Sequence, residues 1–506
     1  MPVQSSDVQC LYMNGNNFIA GTGRRLRKRW IFWGAIFLWA CVGVWNISRT
    51  MPPGTDVSTP PAAVDAADIR FLADLTYTGP QGPVYEQHIF DEVFDIVDRA
   101  ETFIVADFFL FNELMGATDS PHRPLSRQLA DHLMARKQAK PGLAVLLITD
   151  PINDVYGGSP SPLLAQLRAA GIEVVVTDLR KLRDSNPAYS ALWRMFGQWW
   201  GPGDGGGVLP NPFDTEPAHI SLRSWLSLLN FKANHRKLIV ADRADGRLTG
   251  LVASANPHDA SSAHSNIALL FTGEPAQRII ESELGIASFS GWRGHMLATS
   301  PQVAPATQPG TQLSFVTEQA ISNHLLGAIA TTRKGDVIRI ATFYLSDRQV
   351  IDALLQAAGR GVAVRIILDP NRDAFGRQKD GVPNRPVANE LVTQSAQRIE
   401  VRWYRTHGEQ FHTKLALITR GDRLIASLGS ANLTRRNLDN YNLEANVALD
   451  TALDSALASQ MIGYFERLWN NEGGTEYTAP FGAYRDTDRG RYWRYRLMEA
   501  TGLSTF

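Results

Sequence analysis

Cysteine, net charge and metal-binding patterns are nearly missing from this sequence. Only two of its 506 residues are cysteines, Cys10 and Cys41, so a framework of disulfides is excluded. No cluster of Cys and His has the spacing of a zinc site. The 50 Lys and Arg residues balance 50 Asp and Glu residues, which gives no global electrostatic reason to expect nucleic-acid binding. A local basic site is still compatible with that balance.

The composition that is present, 44% hydrophobic and 20% charged residues, is typical of a folded globular protein. The length favours two core-forming units with appendages. Two stretches rich in Pro and small residues, 48–67 and 300–311, have the composition of flexible or extended linkers. They delimit a first half, 68–299, and a second half, 312–475, which a C-terminal extension follows.

One apolar run, from residue 30 to residue 47, lies near the N-terminus. Its length is close to the ~20 residues that cross a bilayer, and Trp30 and Trp45 stand where an aromatic belt would lie. Five basic residues precede the run: Arg24, Arg25, Arg27, Lys28 and Arg29. The positive-inside rule therefore predicts a single-pass anchor with a cytoplasmic tail, 1–29, and all later residues outside, periplasmic in a bacterium. The competing interpretations are a cleaved signal peptide, although no small-x-small site adjoins the run, and a buried core helix.

The two halves repeat one pattern of strands. Three apolar blocks recur in order: 103–110 with 338–345, 144–151 with 363–370, and 171–177 with 398–404. Each block reads as a strand buried on both faces, and amphipathic stretches at 124–136 and 348–359 separate the first two. Alternation of strand and helix predicts an α/β fold in which each half is a mainly parallel sheet flanked by helices.

The first half carries an insertion of about fifty residues, near 185–234. It contains four tryptophans and a Gly-rich turn at 201–207; the tryptophans are Trp193, Trp199, Trp200 and Trp225. One interpretation is a lid or membrane-facing flap, because Trp favours the bilayer interface. The other is a small helical excursion whose aromatic residues pack on the sheet.

Polar residues repeat as well. The first half contains His235, Lys237 and Asp242, then Ser254, Asn256 and Asn266. The second contains His412 and Lys414, then Ser430, Asn432 and Asn442, with Thr419 at the position of the aspartate. The spacing from His to the first Asn is 21 and 20 residues, and the two Asn residues are ten apart in both halves. Chance explains such a duplicated set poorly.

This set of residues suits a phosphodiester. His and Lys two apart on a strand point to the same face. The imidazole can attack phosphorus or pass a proton, and the ammonium neutralises non-bridging oxygens. The serines and asparagines add donors for the same oxygens. Two copies around one phosphate predict attack by one histidine, forming a phosphohistidine, and protonation of the leaving alcohol by the other. Neither a metal nor another cofactor is required.

The duplicated pattern H-x-K-x4-D followed by G-S-x-N resembles the phospholipase D superfamily over residues 69 to 470. The resemblance implies two pseudo-symmetric α/β halves with the site in their seam. It also implies His235 as nucleophile, His412 as general acid and base, and Asp242 in a structural role. The sequence departs from the pattern at Thr419, at Ala253 in place of Gly, and at Ala268 opposite Glu444. A carboxylate can orient an imidazole, so Glu444 is a candidate for orienting one of the two histidines, and the sequence leaves open which one.

The hypothesis that follows is a membrane-anchored enzyme that hydrolyses phospholipid headgroups or transfers the phosphatidyl group. A cardiolipin synthase-like phosphatidyltransferase differs only in its acceptor. The duplicated pattern is also compatible with a nuclease and with a non-catalytic binding or scaffold protein, and net neutrality makes a nucleic-acid partner the weaker choice. Since both half-sites lie in one chain, a monomer suffices. The Arg- and aromatic-rich stretch 484–497 predicts a closing helix or a contact with anionic lipid.

Overall fold

A computed structural model describes residues 16–116, 122–200, 206–213, 219–294, 310–374, 377–504 and 506. The strands are β1 (Ala62–Val64), β2 (Ile69–Gly79), β3 (Gly82–Glu86), β4 (Phe103–Phe108), β5 (Ala144–Thr149), β6 (Glu173–Val176), β7 (Leu209–Pro210), β8 (His219–Ile220), β9 (Lys237–Asp242), β10 (Leu248–Ala253), β11 (Asn266–Thr272), β12 (Thr311–Thr317), β13 (Val337–Thr342), β14 (Ala363–Leu368), β15 (Asp373–Ala374), β16 (Arg377–Gln378), β17 (Ile399–Tyr404), β18 (Lys414–Arg420), β19 (Arg423–Gly429), β20 (Ala445–Ala452) and β21 (Thr478–Pro480).

The helices are α1 (Asn16–Ser48), α2 (Ile89–Arg99), α3 (Leu125–Ala139), α4 (Pro162–Ala169), α5 (Pro187–Met195), α6 (Leu222–Leu228), α7 (Glu274–Phe289), α8 (Gln319–Ala330), α9 (Arg348–Gly359), α10 (Asn384–Gln394), α11 (Arg435–Leu438), α12 (Ala456–Asn470) and α13 (Arg489–Thr501). The six strands predicted from the recurring blocks are β4, β5, β6, β13, β14 and β17. The two predicted amphipathic helices are α3 and α9.

The predicted α/β fold of two halves is confirmed, but the prediction of mainly parallel sheets is wrong. The first sheet has the order β3-β2-β11-β10-β9-β4-β5-β6, and the second has β1-β12-β20-β19-β18-β13-β14-β17-β21. Among the described strands of these two sheets, the parallel pairs are those within β4-β5-β6 and within β13-β14-β17. These strands are joined by helical crossovers, whereas short connections between β9 and β10 and between β18 and β19 force antiparallel hairpins.

The two sheets face one another across a shared apolar core. Buried side chains from both halves form this core, among them Val105, Leu238, Leu417 and Val447. Two further apolar clusters fill the other faces of the sheets, one in each half. Helix α7 of the first half contacts β12 of the second, and α12 of the second contacts β2 of the first. The seam between the halves is therefore a packed interior rather than a hinge.

Most of the stretch 48–67, for which the sequence predicts a flexible or extended linker, is extended between the end of α1 and the turn at 66–68, and it pairs with the second half. Val64 pairs with Thr311 at the edge of the second sheet, and the Thr317 amide donates to the Val57 carbonyl at 2.9 Å. The sequence could not indicate this pairing, because a β-edge accepts many extended segments. The other linker, 300–311, lies outside the described residues apart from its last two positions.

Helix α1 contains the apolar run. Its segment Lys28–Ser48 is long and apolar enough to cross a membrane, and little of that segment is buried inside the structure. The C-terminal part of α1 packs against α5 of the insertion. At the other end of the chain, the stretch 484–497 contributes to α13, which packs against α10 through buried Tyr495, so a closing helix is present.

Candidate active site

Each histidine of the repeated motif lies two residues before a strand, and a residue just before a strand of the opposite half holds its backbone. The His235 amide donates to the Leu443 carbonyl at 2.8 Å, and the Leu443 amide donates to the Ala233 carbonyl at 3.0 Å. In the same way, the His412 amide donates to the Ser265 carbonyl at 2.9 Å. Two short backbone exchanges of this kind cross the seam and fix both imidazoles relative to one another.

These exchanges bring a different side chain to each imidazole. Nδ1 of His235 lies 2.9 Å from Oε1 of Glu444, and Nδ1 of His412 lies 3.1 Å from Oδ1 of Asn266. Both partners accept from Nδ1–H, so Nε2 of each ring carries the lone pair. The histidine that Glu444 contacts, left open by the sequence, is therefore His235.

The sequence comparison that set Ala268 opposite Glu444 is wrong by two residues. The residue paired with the end of β10 is Ala268, and the residue paired with the end of β19 is Asn446. Ala268 therefore corresponds to Asn446, and Asn266 corresponds to Glu444. Equal spacing had matched Asn266 with Asn442. This spacing misleads because the second half has the helical turn α11 between Asn432 and the next strand.

The two motif serines hold these partners instead of facing a phosphate. The Ser254 hydroxyl donates to Oδ1 of Asn266 at 2.9 Å, and the Ser430 hydroxyl donates to Glu444. Both serines are fully buried, and each donates its single hydroxyl proton to a side chain of the protein. In place of the predicted phosphate contact, the serines therefore position the partners of the two histidines. Asn437 also donates to Glu444, which leaves that carboxylate well anchored.

The asparagines differ among themselves. Asn256 accepts from the Leu110 amide at 3.2 Å through Oδ1, so its amide nitrogen is the end available as a donor. Oδ1 of buried Asn432 has no hydrogen-bond partner within the described parts of the chain. Asn442 accepts from the Ala233 amide at 3.0 Å, and it thereby supports the loop before the first histidine.

In this structure the two motif lysines turn towards the backbone of their own histidines. Nζ of Lys237 donates to the His235 carbonyl at 2.6 Å, and Nζ of Lys414 donates to the His412 carbonyl at 2.8 Å. Both amino groups are thus held beside the imidazoles, and no carboxylate of the described residues forms a salt bridge with either. This arrangement leaves both amino groups available to an anion.

Two phenylalanines line the histidine pair and were missed by the sequence reasoning. The Phe109 ring centroid lies 4.8 Å from that of His235, and the Phe343 centroid lies 5.2 Å from that of His412. Both follow corresponding strands within the first recurring block. The alignment of the two blocks sets Phe109 opposite Tyr344, one position from Phe343, but the aromatic pair that recurs there in both blocks was a signal for them.

Burial and like charges lower the pKa values of the histidines and lysines in the empty site. Burial, with the charge of Lys237, lowers the pKa of His235 to about 4 against the opposing effect of Glu444. Burial and the charge of Lys414 hold the pKa of His412 well below its ordinary value. Burial lowers the pKa of Lys237 to about 7 and that of Lys414 well below its usual range. A bound anion would oppose all these shifts.

Two aspartates that end the second recurring block hold the loops before the histidines. Oδ2 of Asp150 accepts from the Asn234 amide at 2.7 Å, and Oδ2 of Asp369 accepts from the Phe411 amide at 2.8 Å. Burial raises the pKa of Asp150 to about 8 and that of Asp369 to about 7. The repeated Asp-Pro pairs were visible in the sequence, but their contact with the histidine loops was not.

The residue between His235 and Lys237 connects the two halves behind the site. Arg236 is fully buried and contacts Glu283 at 2.8 Å and Glu318 at 2.7 Å. Oε1 of Glu318 also accepts from the backbone amide of Glu444 at 2.9 Å. Arg236 therefore links α7 of the first half to the segment that presents the carboxylate partner of His235.

The motif aspartate is remote from this chemistry. Asp242 ends β9 at the edge away from the histidine and accepts from the Thr102 amide at 2.8 Å. Thr419 occupies the corresponding end of β18, where it contacts Arg339 at 3.2 Å. In the second half, the Asp336 carboxylate accepts from the Arg333 amide at 2.8 Å and closes the turn before β13. The change from Asp to Thr therefore leaves the histidines and lysines untouched.

The aromatic residues of the insertion divide between buried and exposed positions, and its role as a lid or membrane-facing flap stays a prediction. It forms α5, α6 and the short strands β7 and β8. Trp193 is buried, as packing on the body of the first half requires, whereas Trp199 and Trp200 are exposed. The Gly-rich turn lies mainly outside the described residues. Within the described residues, no group of three or more His, Cys, Asp or Glu could hold a metal ion, and independence of metals stays a prediction.

Comparison with known proteins begins with the second half. Residues 325–469 match the family model described as "Cardiolipin synthase, PLD-like domain". Among solved structures, phosphatidylserine synthase from Haemophilus influenzae Rd KW20 is similar with a TM-score of 0.53 at 12% identity, covering 88% of this chain and 96% of that one. No curated protein sequence matches the chain.

Two further structures match with lower TM-scores. Nuc from Salmonella typhimurium, a phospholipase D family member, is 20% identical with a TM-score of 0.26, covering 34% of this chain and 99% of its own. Yeast tyrosyl-DNA phosphodiesterase is 10% identical with a TM-score of 0.36, covering 71% and 84%. The similarity to the synthase spans both halves and shows the shared fold. The second half is therefore similar to a phospholipase D-like domain, and the chain shares its fold across both halves with the synthase.

Proposed function

We propose that this chain is a membrane-anchored enzyme that cleaves the phosphodiester bond of phospholipids through a phosphohistidine on His235. The observation that carries the proposal is the pair of imidazoles held across the seam, each with Nδ1 bound and Nε2 carrying the lone pair. The backbone hydrogen bonds of His235 with Leu443 and of His412 with Ser265 hold both rings at the same seam. Two lysines stand beside them, as charge neutralisation of a phosphate requires.

In the first half-reaction, Nε2 of His235 attacks phosphorus and the bond from phosphorus to the leaving alcohol oxygen breaks. His412, protonated at Nε2 once the anionic substrate is bound, gives that proton to the alcohol. Lys237 and Lys414 move from the backbone carbonyls to the non-bridging oxygens, joined by the amide of Asn256. Glu444 balances the positive charge that the imidazole of His235 acquires.

In the second half-reaction, neutral His412 takes the proton of a water molecule or of an acceptor alcohol. The oxygen so activated attacks phosphorus, and the bond from phosphorus to Nε2 of His235 breaks. Water releases a phosphatidic acid, whereas an alcohol receives the phosphatidyl group. His412 thus acts as acid and then as base, as microscopic reversibility requires.

Phospholipid is the proposed substrate because α1 would hold the site near a bilayer. The segment Lys28–Ser48 has the length of a single span, and the basic cluster before it favours a cytoplasmic N-terminus. The catalytic halves, 68–299 and 312–475, would then lie outside the cytoplasm. One chain supplies both histidines, so the enzyme is proposed to act as a monomer.

Phosphatidyl transfer is the second candidate, and a specific observation favours it. The matched family model is that of a cardiolipin synthase, and the solved structure with the same fold is a phosphatidylserine synthase. Both names describe enzymes whose acceptor is an alcohol. Hydrolysis and transfer share the first half-reaction and differ only in what reaches the phosphohistidine.

The test is incubation of the purified full-length protein with isotope-labelled phosphatidylglycerol, followed by mass spectrometry of the lipids. Phosphatidic acid indicates hydrolysis, and cardiolipin indicates transfer. The His235→Ala variant is the matched control and should yield neither. A wild-type protein that leaves phosphatidylglycerol unchanged but cuts single-stranded DNA would overturn the proposal in favour of a nuclease.

A further inference from the structure

The insertion presents an unusual concentration of exposed apolar side chains. Helix α5 and the turn after it expose Leu192 and Phe196, and Trp199 and Trp200 are 72% and 55% exposed. Outside α1 and the insertion, the exposed large hydrophobic residues of the described chain are Tyr85, Trp493, Leu497 and Leu503. We call the surface formed by Leu192, Phe196, Trp199 and Trp200 the insertion face.

The insertion face continues from the helix that could cross a membrane. Nε1 of Trp39 donates to the Ala188 carbonyl at 2.9 Å, and the Asp184 amide donates to the Asn46 carbonyl at 3.1 Å. The first turn of α5 therefore runs beside the last part of α1. At 1.5 Å per residue, Trp39 and Asn46 are separated by about 10 Å along α1. This distance is comparable with the depth to which interfacial helices enter a bilayer.

The insertion face carries no unpaired charge. From residue 186 to residue 200 the only charged residue is Arg194, and its guanidinium contacts the Asp184 carboxylate at 2.7 Å. That carboxylate is fully buried and also contacts Nζ of Lys232 at 2.8 Å. Neutralisation inside the protein lowers the cost of moving this segment out of water. An apolar surface that is rich in Trp suits the headgroup boundary of a bilayer.

The same contacts connect the insertion face to the catalytic histidine. Lys232 stands three residues before His235, and its partner Asp184 opens the segment that leads into α5. A hydrogen bond of 2.8 Å from the Ser190 hydroxyl to Oδ1 of Asn230 adds a second link. These contacts join the insertion face to the loop that carries the first histidine.

We propose that the insertion face lies in the phospholipid headgroup region of the bilayer that α1 crosses, on the side where the catalytic halves stand. This inference rests on the membrane anchor of the proposed function. The anchor holds the chain near the bilayer, and the insertion face fixes its orientation, so that His235 is presented to headgroups rather than to bulk solvent. The partner is the lipid surface itself, bound by burial of aromatic rings.

The experiment measures depth in the full chain, reconstituted in nanodiscs of phosphatidylcholine and phosphatidylglycerol. In a background with Cys10→Ser and Cys41→Ser, a nitroxide is attached after Trp199→Cys, Trp33→Cys or Ala244→Cys. Ala244 lies in the turn after β9, at the edge remote from His235, and is exposed. Collisions with oxygen report lipid, and collisions with a water-soluble nickel chelate report water.

The expected result is that the labels at 33 and 199 collide mainly with oxygen and the label at 244 with nickel. If the label at 199 collides mainly with nickel, as the label at 244 does, while the label at 33 reports lipid, the docking is wrong and the membrane anchor is still supported. If 33 also reports water, the anchor fails and the docking with it. Because depth is read without turnover, an inactive protein that gives the expected pattern would overturn the proposed activity and leave the docking supported.

A second measurement addresses activity. The variant Trp199→Ser/Trp200→Ser should lose about tenfold in turnover of bilayer phosphatidylglycerol, the order expected when burial of one large apolar side chain is lost. Turnover of a water-soluble nitrophenyl phosphodiester should stay within about twofold of wild type, because the catalytic groups are untouched. Trp199→Phe/Trp200→Phe should retain bilayer turnover. Equal losses on both substrates would contradict docking, since they would indicate damage to the site.

Discussion

Nδ1 of His235 lies 2.9 Å from a carboxylate oxygen of Glu444, although the two residues belong to opposite halves of the repeat. The other histidine, His412, has the neutral amide of Asn266 in the corresponding position. A carboxylate stabilises positive charge on its imidazole, whereas an amide only orients the ring. This asymmetry favours His235 as the residue that becomes a cationic phosphohistidine and His412 as the one that exchanges protons.

Replacing the carboxylate tests this asymmetry. Glu444→Gln keeps the shape of the side chain but removes the charge that balances the phosphohistidine. We expect turnover to fall by about 10²–10⁴-fold, the range for loss of an orienting acid or a proton-transfer group. The decrease should appear in the rate of adduct formation, measured by rapid quench with a nitrophenyl phosphodiester.

Glu466→Gln is the matched control for that substitution. Glu466 forms a partly buried ion pair with Arg339, away from both histidines. Its removal should leave turnover within about twofold, as for other substitutions distant from a site. A loss in Glu466→Gln as large as that in Glu444→Gln would mean that the effect is one of stability.

Anion binding should become weaker as pH rises. Without a ligand, Lys237 has a pKa of about 7, and burial and like charge keep the pKa values of His412 and Lys414 low. A bound anion raises all three pKa values. Its affinity is therefore highest at a pH below the unliganded pKa of each group and falls as the pH rises above that value. Calorimetry with tungstate should show proton uptake at pH 8 and a loss of up to about tenfold in affinity per pH unit for each proton taken up.

The variant Lys237→Gln isolates one of these protons. It should bind tungstate more weakly at pH 6 and take up about one proton fewer at pH 8. An affinity that is independent of pH in the wild-type protein, or one that increases with pH, is incompatible with the low pKa values described for the empty site.

The buried Arg236 should be among the most costly residues to replace. Arg236→Met leaves the carboxylates of Glu283 and Glu318 buried without their partner, a loss of about 3–5 kcal/mol in the free energy of unfolding. Thr413, its counterpart in the second motif, makes only a hydroxyl contact with Tyr464 at 3.0 Å. Thr413→Val should therefore cost about 1 kcal/mol.

Denaturant unfolding in detergent compares the two variants. Adding Glu283→Gln and Glu318→Gln to Arg236→Met should recover much of the loss, because the two stranded charges are then removed. If Arg236→Met were no less stable than Thr413→Val, the buried network would not be what joins the halves behind the site.

The catalytic halves should lie outside the cytoplasm. Alkaline phosphatase, which folds to its active form only in an oxidising exterior, should be active when fused after Phe506 in a bacterium. The control fuses the same reporter to a chain whose basic cluster is neutralised, which should lower its activity since the orienting charge is gone. An inactive phosphatase fusion together with a fluorescent cytoplasmic reporter at the same site would reverse the topology.

The sequence predicted those parts of the fold that depend on local patterns. Short apolar runs gave the central strands, 3.6-residue periodicity gave α3 and α9, and the duplicated H-x-K pattern gave both histidines and both lysines. Sheet direction was predicted incorrectly, because hairpins such as β9–β10 are set by loop length and not by the composition of the strands.

The rest of the site depends on contacts between residues far apart in the chain. Glu444 and His235 are 209 positions apart, and only the pairing of Leu443 with the His235 loop brings them together. The serines were predicted to bind phosphate because a hydroxyl can donate equally well to a phosphate oxygen or to a neighbouring side chain. Their partners became evident only once the register of β11 and β20 was known.

The most direct test of the central claim is to trap the covalent intermediate on each histidine variant with a radiolabelled nitrophenyl phosphodiester. Such a leaving group needs little protonation, so His412→Ala should still form the adduct and accumulate it, since no base remains to activate water. His235→Ala should form no adduct with any substrate, and peptide mapping of the trapped protein should find the label on His235. A label that maps to His412 and persists in His235→Ala would reverse the two roles. Unchanged turnover in both variants would contradict the account altogether.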